Sequence, residues 1–319
     1  MTGLRYSFTA TARPTWGGLP ADLALGRAIP PEPRAVPPAG DELGQLVTDW
    51  RADRFPEGGA LVERKHDGIR LFYIGGQLAT RGAMPFECAA HCLPALDALA
   101  ATFGCPMFFD GEYMEGDTFE STKRAYDKRG HTRAPGEAPG IVYLFDALPL
   151  AAWEGNELCQ PLRRRKQMLF DALAKAPSPF LRYVPHAETF APKWAEKIAA
   201  EAIAAGHEGV VIKDPRAPYT RSRSPAWQRI KRKIVVDCPI VDVLGIDSKD
   251  GTLATLIVDY RGRRVRISVG LTPAERRELW TFWPRLIGRI VTVEAMDTTA
   301  SGSLRQPRFL KWTSERKDT

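Results

Sequence analysis

Between Ala60 and Lys213 the chain is built from short apolar runs that each stop on charged groups. Ala60-Leu61-Val62 leads into Glu63-Arg64-Lys65-His66-Asp67-Gly68-Ile69-Arg70, and Leu71 to Ile74 then meets Gly75-Gly76. Cys105 to Phe109 stops at Asp110-Gly111-Glu112, Ile141 to Phe145 stops at Asp146, and Gly209 to Ile212 stops at Lys213. Short apolar runs bounded by glycine and acidic residues are strands, so the pattern reads strand, charged loop, strand, turn. Two intervening segments have helical spacing. Pro161 to Lys175 carries Leu162, Met168, Leu169 and Leu173, and Pro192 to Ala205 is an alanine-rich helix closed by Gly206.

The flanks differ. The first 60 residues read as irregular, and the run from Ile29 to Pro38 is so rich in proline that it predicts an extended arm. No repeat recurs at solenoid periods. A second unit starts near Val236. Ile240–Ile246 and Leu253–Tyr260 read as strands joined to a third by the turn Arg261-Gly262-Arg263. In that third strand Val265, Ile267 and Val269 alternate with Arg264, Arg266 and Ser268, a half-buried strand with a basic face. Thr272-Pro273-Ala274-Glu275 is a capping box that opens a helix running to about Phe282, and Ile290–Glu294 is a last strand. About five strands with one inserted helix predict a small closed barrel of the OB type. The expectation is an α+β chain of two domains, residues 1–236 and 237–319.

Charge points the same way. The chain has 319 residues with 45 Lys+Arg against 38 Asp+Glu, a net charge of +7. From Cys238 onward there are fourteen basic and ten acidic residues, so that quarter holds more than half of the excess. A basic surplus suits a polyanion. A composition 44% hydrophobic and 26% charged excludes a mainly disordered chain. No apolar stretch is long enough for a transmembrane helix, and the N-terminus lacks a signal core. Five scattered cysteines without such a signal predict reduced thiols and a cytoplasmic location.

Lys65-His66-Asp67-Gly68-Ile69-Arg70 is the strongest single motif. A lysine amine attacks phosphorus only when deprotonated, which desolvation and nearby cations favour. The glycine permits a tight turn beside a bulky ligand, and Arg70 suits a phosphate or ribose oxygen. It is followed in order by Thr80-Arg81-Gly82, Asp110-Gly111-Glu112, Leu144-Phe145-Asp146, Glu208 to Lys213, Trp227-Gln228-Arg229-Ile230-Lys231, and Ser303 to Lys311.

In this ordered set the sequence resembles the ATP-dependent DNA ligases, within the covalent nucleotidyltransferases that also include RNA ligases and capping enzymes. The resemblance covers about four-fifths of the chain, from Glu63 to Lys317, and its size and ending look most like the small phage ligases of the T7 kind. It implies an adenylation domain of ATP-grasp-like antiparallel sheets with helices, followed by an OB-fold barrel. It implies Lys65 as the nucleophile that takes AMP, Glu63 as acceptor of the adenine amino group, Arg70 on the ribose, and Phe145 stacked on adenine. Glu112 and Glu208 are the implied metal-side carboxylates, and Lys213 and Lys231 the implied lysines around the α-phosphate. Arg81 is implied to reach the nick 5′-phosphate. The implied substrates and cofactors are ATP, Mg²⁺ and nicked duplex DNA, handled by a monomer.

The motif departs from the family at Arg229, where lysine is usual, and the alternative register Lys231-Arg232-Lys233 stays open. The tail reads Arg316-Lys317-Asp318, so orienting the pyrophosphate falls to Arg305, Arg308, Lys311 or Lys317. Lys123, Arg124, Lys128, Arg129 and Arg133 form a basic loop that reads as solvated or as DNA backbone contact. Arg264 and Arg266 are the other expected DNA contacts. Cys88, His91 and Cys92 read as a buried helix face rather than a metal site, His66 as a solvated loop residue, and Trp280 and Trp283 as core packing on one helix. An RNA ligase, a capping-type enzyme and a non-catalytic basic DNA-binding protein are the alternatives. Glu63 disfavours the GTP-using capping enzyme.

Overall fold

Among the described residues ten strands precede residue 232: β1 (Leu46–Asp49), β2 (Ala60–Lys65), β3 (Ile69–Ile74), β4 (Gln77–Thr80), β5 (Met107–Met114), β6 (Ile141–Pro149), β7 (Leu181–Tyr183), β8 (His186–Thr189), β9 (Gly209–Lys213) and β10 (Arg223–Lys231). The computed structural model describes residues 43–116, 119–127, 139–155, 157–246, 252–299 and 301–313. The chain divides into two compact units between Ile230 and Lys231. The proline-rich arm, Lys128, Arg129, Arg133, Arg316 and Lys317 lie outside the described residues.

The first unit has two five-stranded sheets, ordered β1-β10-β9-β2-β8 and β4-β3-β5-β6-β7. Side-chain alternation sorts their residues into three cores. On β3, Leu71 and Tyr73 face one core with Leu96, Leu99 and Leu169, which lie on the helices α1 (Leu93–Ala101) and α4 (Leu162–Lys175). Phe72 and Ile74 face a second core with Phe108, Leu148, Trp153 and Trp227 between the sheets. On the far side, Val62, Val210 and Ile212 pack on Ala195 and Ala199 of α5 (Pro192–Ala204). The order is thus helix, sheet, sheet, helix. Each fully buried Phe or Leu contributes on the order of 1.5–3 kcal/mol.

Leu46–Asp49 is a strand, against the expectation that the first 60 residues are irregular. It pairs in parallel with β10, matching Asp49 to Arg229, and a partner that remote leaves no local pattern. The Lys123-Arg124 segment is also not a loop. It lies on α2 (Phe119–Asp127), whose Thr122 and Ala125 are buried. Short helices at Leu150–Trp153 and Pro273–Thr281 complete the set as α3 and α6, with α6 in the second unit.

The second unit adds β11 (Ile234–Ile246), β12 (Thr252–Tyr260), β13 (Arg263–Ile267), β14 (Ile290–Ala295), β15 (Asp297–Thr298), β16 (Leu304–Arg305) and β17 (Arg308–Trp312). Its main sheet runs β13-β12-β11-β14-β17. The long β11 pairs with β14 through its first half and with β12 through its second, so one strand turns the sheet around its core. β14 is not the last strand, because Arg308–Trp312 pairs with it. The expected closed barrel is not reached. Among the described residues no ladder joins β13 to β17, and a backbone bond from Phe309 N to Val269 O at 2.8 Å bridges these edges. β13 stops at Ile267, so Val269 is 63% exposed rather than inside. Gly270 then turns with φ +110°, and a Cβ there would lie 2.2 Å from Phe309 O. Trp280 packs on the core and over Gly245. Trp283 lies beyond α6 in a 3₁₀ turn, 41% exposed, with its ring stacked on Trp280.

Candidate active site

The link His66-Asp67-Gly68 carries the chain from β2 in one sheet to β3 in the other, so Lys65 and Arg70 stand on either side of the gap between the sheets. Gly68 is needed for a reason that the motif does not reveal. A Cβ there would lie 2.2 Å from Tyr113 O and 2.9 Å from Met114 Cγ. The backbone of β5 presses on the loop, rather than a ligand. Gly68 N donates to Glu112 Oε1 at 3.1 Å, which ties the loop to the Asp110-Gly111-Glu112 motif.

Lys65 Nζ meets Glu208 Oε2 at 2.6 Å. The β2–β9 register explains this, because Lys65 pairs with Gly209 and Glu208 is the next residue. Burial pushes the Glu112 carboxyl up to about 7 against the pull of Lys65 and Arg70, and the nearby Glu208 charge adds to the push. Two carboxylates that repel each other beside a lysine suit a hard cation, which carboxylate oxygens would hold.

Arg70 is fixed by Asp110, donating from Nε at 2.9 Å and Nη2 at 2.5 Å. Tyr219 Oη donates to the same carboxylate at 2.6 Å. Burial disfavours the Arg70 charge, and Asp110 more than restores it, so its pKa rises. The guanidinium lies 5.6 Å from the Phe145 ring centre.

Glu63 is 2% exposed between the sheets. Lys166 Nζ lies 2.8 Å from Oε1 and Lys213 Nζ 2.6 Å from Oε2. Burial raises the Glu63 pKa, but the two ammonium groups outweigh it and hold the carboxyl below its usual value. Lys213 Nζ also lies 4.5 Å from the centre of the Phe145 ring and 4.0 Å from that of Trp227. Within the first unit Lys65 faces the Glu208 carboxylate, and Lys213, expected beside Lys65, faces Glu63.

Lys65, Glu208, Glu112, Arg70, Glu63, Lys213 and Phe145 thus come together in the first unit. The other expected residues lie on further elements of the first unit or in the second unit. Arg229 Nε donates to Asp49 at 2.9 Å, and Lys231 ends β10 where the second unit begins. Lys233 pairs with Glu294 at 3.0 Å, and Arg308 is 3.8 Å from the same carboxylate. Arg81 is exposed just beyond β4, and Lys123 pairs with Asp127 along α2. Arg264 pairs with Asp242, Arg266 and Lys311 are exposed, and Arg305 is half-buried on β16.

Sequence reasoning missed Lys166 and Arg165, and it named Asp146 in a motif without a role. Arg165 Nε and Nη2 donate to Asp146 at 2.7 and 2.8 Å, with both side chains buried. In α4 the buried positions are Leu162, Arg165, Lys166, Leu169 and Ala172, a regular helical stripe in which two basic residues occupy core places. His66 is not a solvated loop residue. Its ring stacks on Tyr143 at 4.2 Å, and burial, with help from Arg64, lowers its pKa to about 4. Cys88 and Cys92 are buried in the 3₁₀ turn Glu87–Cys92, and His91 Nε2 is 2.9 Å from Gly140 O. Among the described residues no group of His, Cys, Asp and Glu is set to hold a metal ion by itself.

Comparison with known proteins agrees with this geometry. Residues 47–231 match the ATP dependent DNA ligase domain family, and residues 245–312 match the DNA ligase OB-like domain. A DNA ligase of Natronomonas pharaonis is 30% identical over 74% of this chain and 41% of its own length. A DNA ligase of Haemophilus influenzae is 25% identical over 82% of this chain and 88% of its own. The chain spans about half the length of the first curated relatives it matches. A solved structure described as a Lig E DNA ligase shares the fold, with TM-score 0.66 and 21% identity over 84% of this chain and 98% of that one. Motif order, the two-sheet site and the match over most of the chain lead to one assignment: this chain belongs to the ATP-dependent DNA ligase domain family.

Proposed function

We propose that the protein is an ATP-dependent DNA ligase that seals 5′-phosphate/3′-hydroxyl nicks in duplex DNA. The observation that carries this is Lys65 at the crossing between two sheets, with Lys213 and, next to β9, Glu208 on its own sheet and Arg70, Glu112 and Phe145 on the facing one. Lys65 Nζ attacks the α-phosphorus of ATP. The N–P bond forms as the bond to the β-phosphate oxygen breaks, pyrophosphate leaves with the electron pair, and Glu208, 2.6 Å away, takes the amine proton. AMP then passes to the 5′-phosphate of the nick, the 3′-hydroxyl attacks that phosphorus, and AMP departs.

Arg70 and Lys213 stabilise negative charge on ribose and phosphate oxygens, and Lys231, with Arg229 or Lys233, serves the α-phosphate. Phe145 receives the adenine ring. Glu112 and Glu208 would hold Mg²⁺, which when bound supplies neutralising charge to the phosphates. The first unit is the adenylation domain and the second the OB domain. Arg305, Arg308 or Lys311 orients pyrophosphate. Arg81, Lys123, Arg124, Arg264 and Arg266 contact DNA phosphates, so binding is independent of base sequence and weakens with salt. The free cysteines support a cytoplasmic location, and we take the working form to be a monomer. Among the described residues no helix is long and apolar enough to cross a membrane.

The test is incubation with α-labelled ATP or GTP and Mg²⁺, followed by nicked DNA and nicked RNA. Covalent label from ATP that is lost in Lys65→Ala, and that chases into sealed DNA, is expected. Label from GTP alone, or label that survives Lys65→Ala, refutes the proposal.

A further inference from the structure

Lys166 is 1% exposed, on α4, and 103 positions from the residue it serves. Its Nζ lies 2.8 Å from Glu63 Oε1 as an ion pair, donates to Val184 O at 2.7 Å and lies 4.2 Å from the Tyr183 ring centre. It is therefore anchored on the side of the site formed by α4 and β7. Lys213 shares Glu63 through the other oxygen and otherwise faces the rings of Phe145 and Trp227. One buried carboxylate thus meets two ammonium groups, and the two differ in how firmly they are held. A buried charge that loses its only partner is strongly penalised. With two cations, one can leave while the carboxylate stays compensated.

We propose that Lys166 is a positioning residue for nucleotide capture: it holds Glu63 Oε1 permanently, so that Oε2 is exchanged from Lys213 to the adenine amino group while Lys213 turns to the α-phosphate. This rests on the ligase reading above and deepens it. Holding Glu63 as an ionised acceptor also sets base choice, because adenine offers an amino donor where guanine offers a carbonyl oxygen, which a carboxylate repels.

The experiment compares Lys166→Met and Lys166→Arg with the wild-type protein in two reactions. One is covalent labelling from ATP and from GTP, and the other is sealing of a nick that already carries 5′-AMP and needs no nucleotide capture. For K166M the KM for ATP rises by about tenfold or more and the preference for ATP over GTP shrinks by a similar factor, the loss of one charged hydrogen bond's worth of orientation. Sealing of the pre-adenylated nick, whose adenine is delivered by its covalent link to the bound DNA and does not rely on Glu63 for capture, stays within about threefold, and K166R recovers most of the ATP affinity. K166M keeps Glu63 paired to Lys213, so it is expected to fold; should it fail, K166Q, which retains a donor for Val184 O, is read in the same way. An unchanged KM and base preference, or a proportional loss in both reactions, overturns the proposal. Failure of the wild-type protein to take label from ATP overturns the ligase reading instead.

Discussion

Asp146 and Arg165 form the most deeply buried charge pair of the site's support, and their removal makes a quantitative test. Their side chains are 0% and 1% exposed, with two hydrogen bonds at 2.7 and 2.8 Å. Arg165 Nη1 also donates to Gln160 O at 2.5 Å and Ala217 O at 3.2 Å, so the guanidinium cannot swing to water without breaking further bonds. Asp146→Asn keeps the shape and removes the charge. Breaking one side of a buried pair costs about 3–5 kcal/mol, more than a hundredfold in the folding constant and a large part of a domain's stability. Replacing both partners by apolar residues is often close to neutral. D146N is therefore expected to lose about 3 kcal/mol, whereas D146L combined with R165M loses markedly less than the sum of the single changes. The assay is urea unfolding of the first unit followed by tryptophan fluorescence, with Trp153 and Trp227 both in its inter-sheet core. A loss below about 1 kcal/mol in D146N, or strict additivity in the double variant, refutes the reasoning that charge burial governs this pair.

Other outcomes follow from single contacts. Gly68→Ala forces a Cβ to 2.2 Å from Tyr113 O, so the loop shifts, and covalent labelling from ATP falls by about a hundredfold or more while the second unit is untouched; labelling at the wild-type rate would contradict the contact. His66 has a folded pKa near 4, below its unfolded value of 6.5. The unfolded state alone takes up a proton as pH falls between these values, so stability is full above about 6.5 and is lost on the way down to about 4, by roughly 1–3 kcal/mol after allowance for partial exposure. His66→Phe flattens that window in unfolding curves taken from pH 4 to 7, and an unaltered slope would count against it. Thr272→Ala removes the hydroxyl that accepts from Glu275 N and leaves the backbone N–H of residue 272 donating to the Glu275 carboxylate, and it lowers the stability of the second unit by about 1 kcal/mol in thermal unfolding.

Much of the site was legible in the sequence because its chemistry is local. Lys65 ends β2 and Lys213 ends β9, whereas β5 and β6 run on through Asp110 to Glu112 and Phe145, where the sequence pattern had the strands stop. Misreadings came where a partner is remote. The strand Leu46–Asp49 exists only through β10, and Val269 leaves the core because β13 ends early.

By itself, then, the sequence determined the order of the candidate motifs and that a strand-rich basic unit follows them. Only the tertiary structure decided how they are paired. Lys65 faces Glu208, Lys213 faces Glu63, and Lys166 and Arg165 turn inward to buried carboxylates. The physical reason is that strand and helix periods are local properties of the chain, whereas the free energy of a buried charge depends on which opposite charge the fold brings beside it.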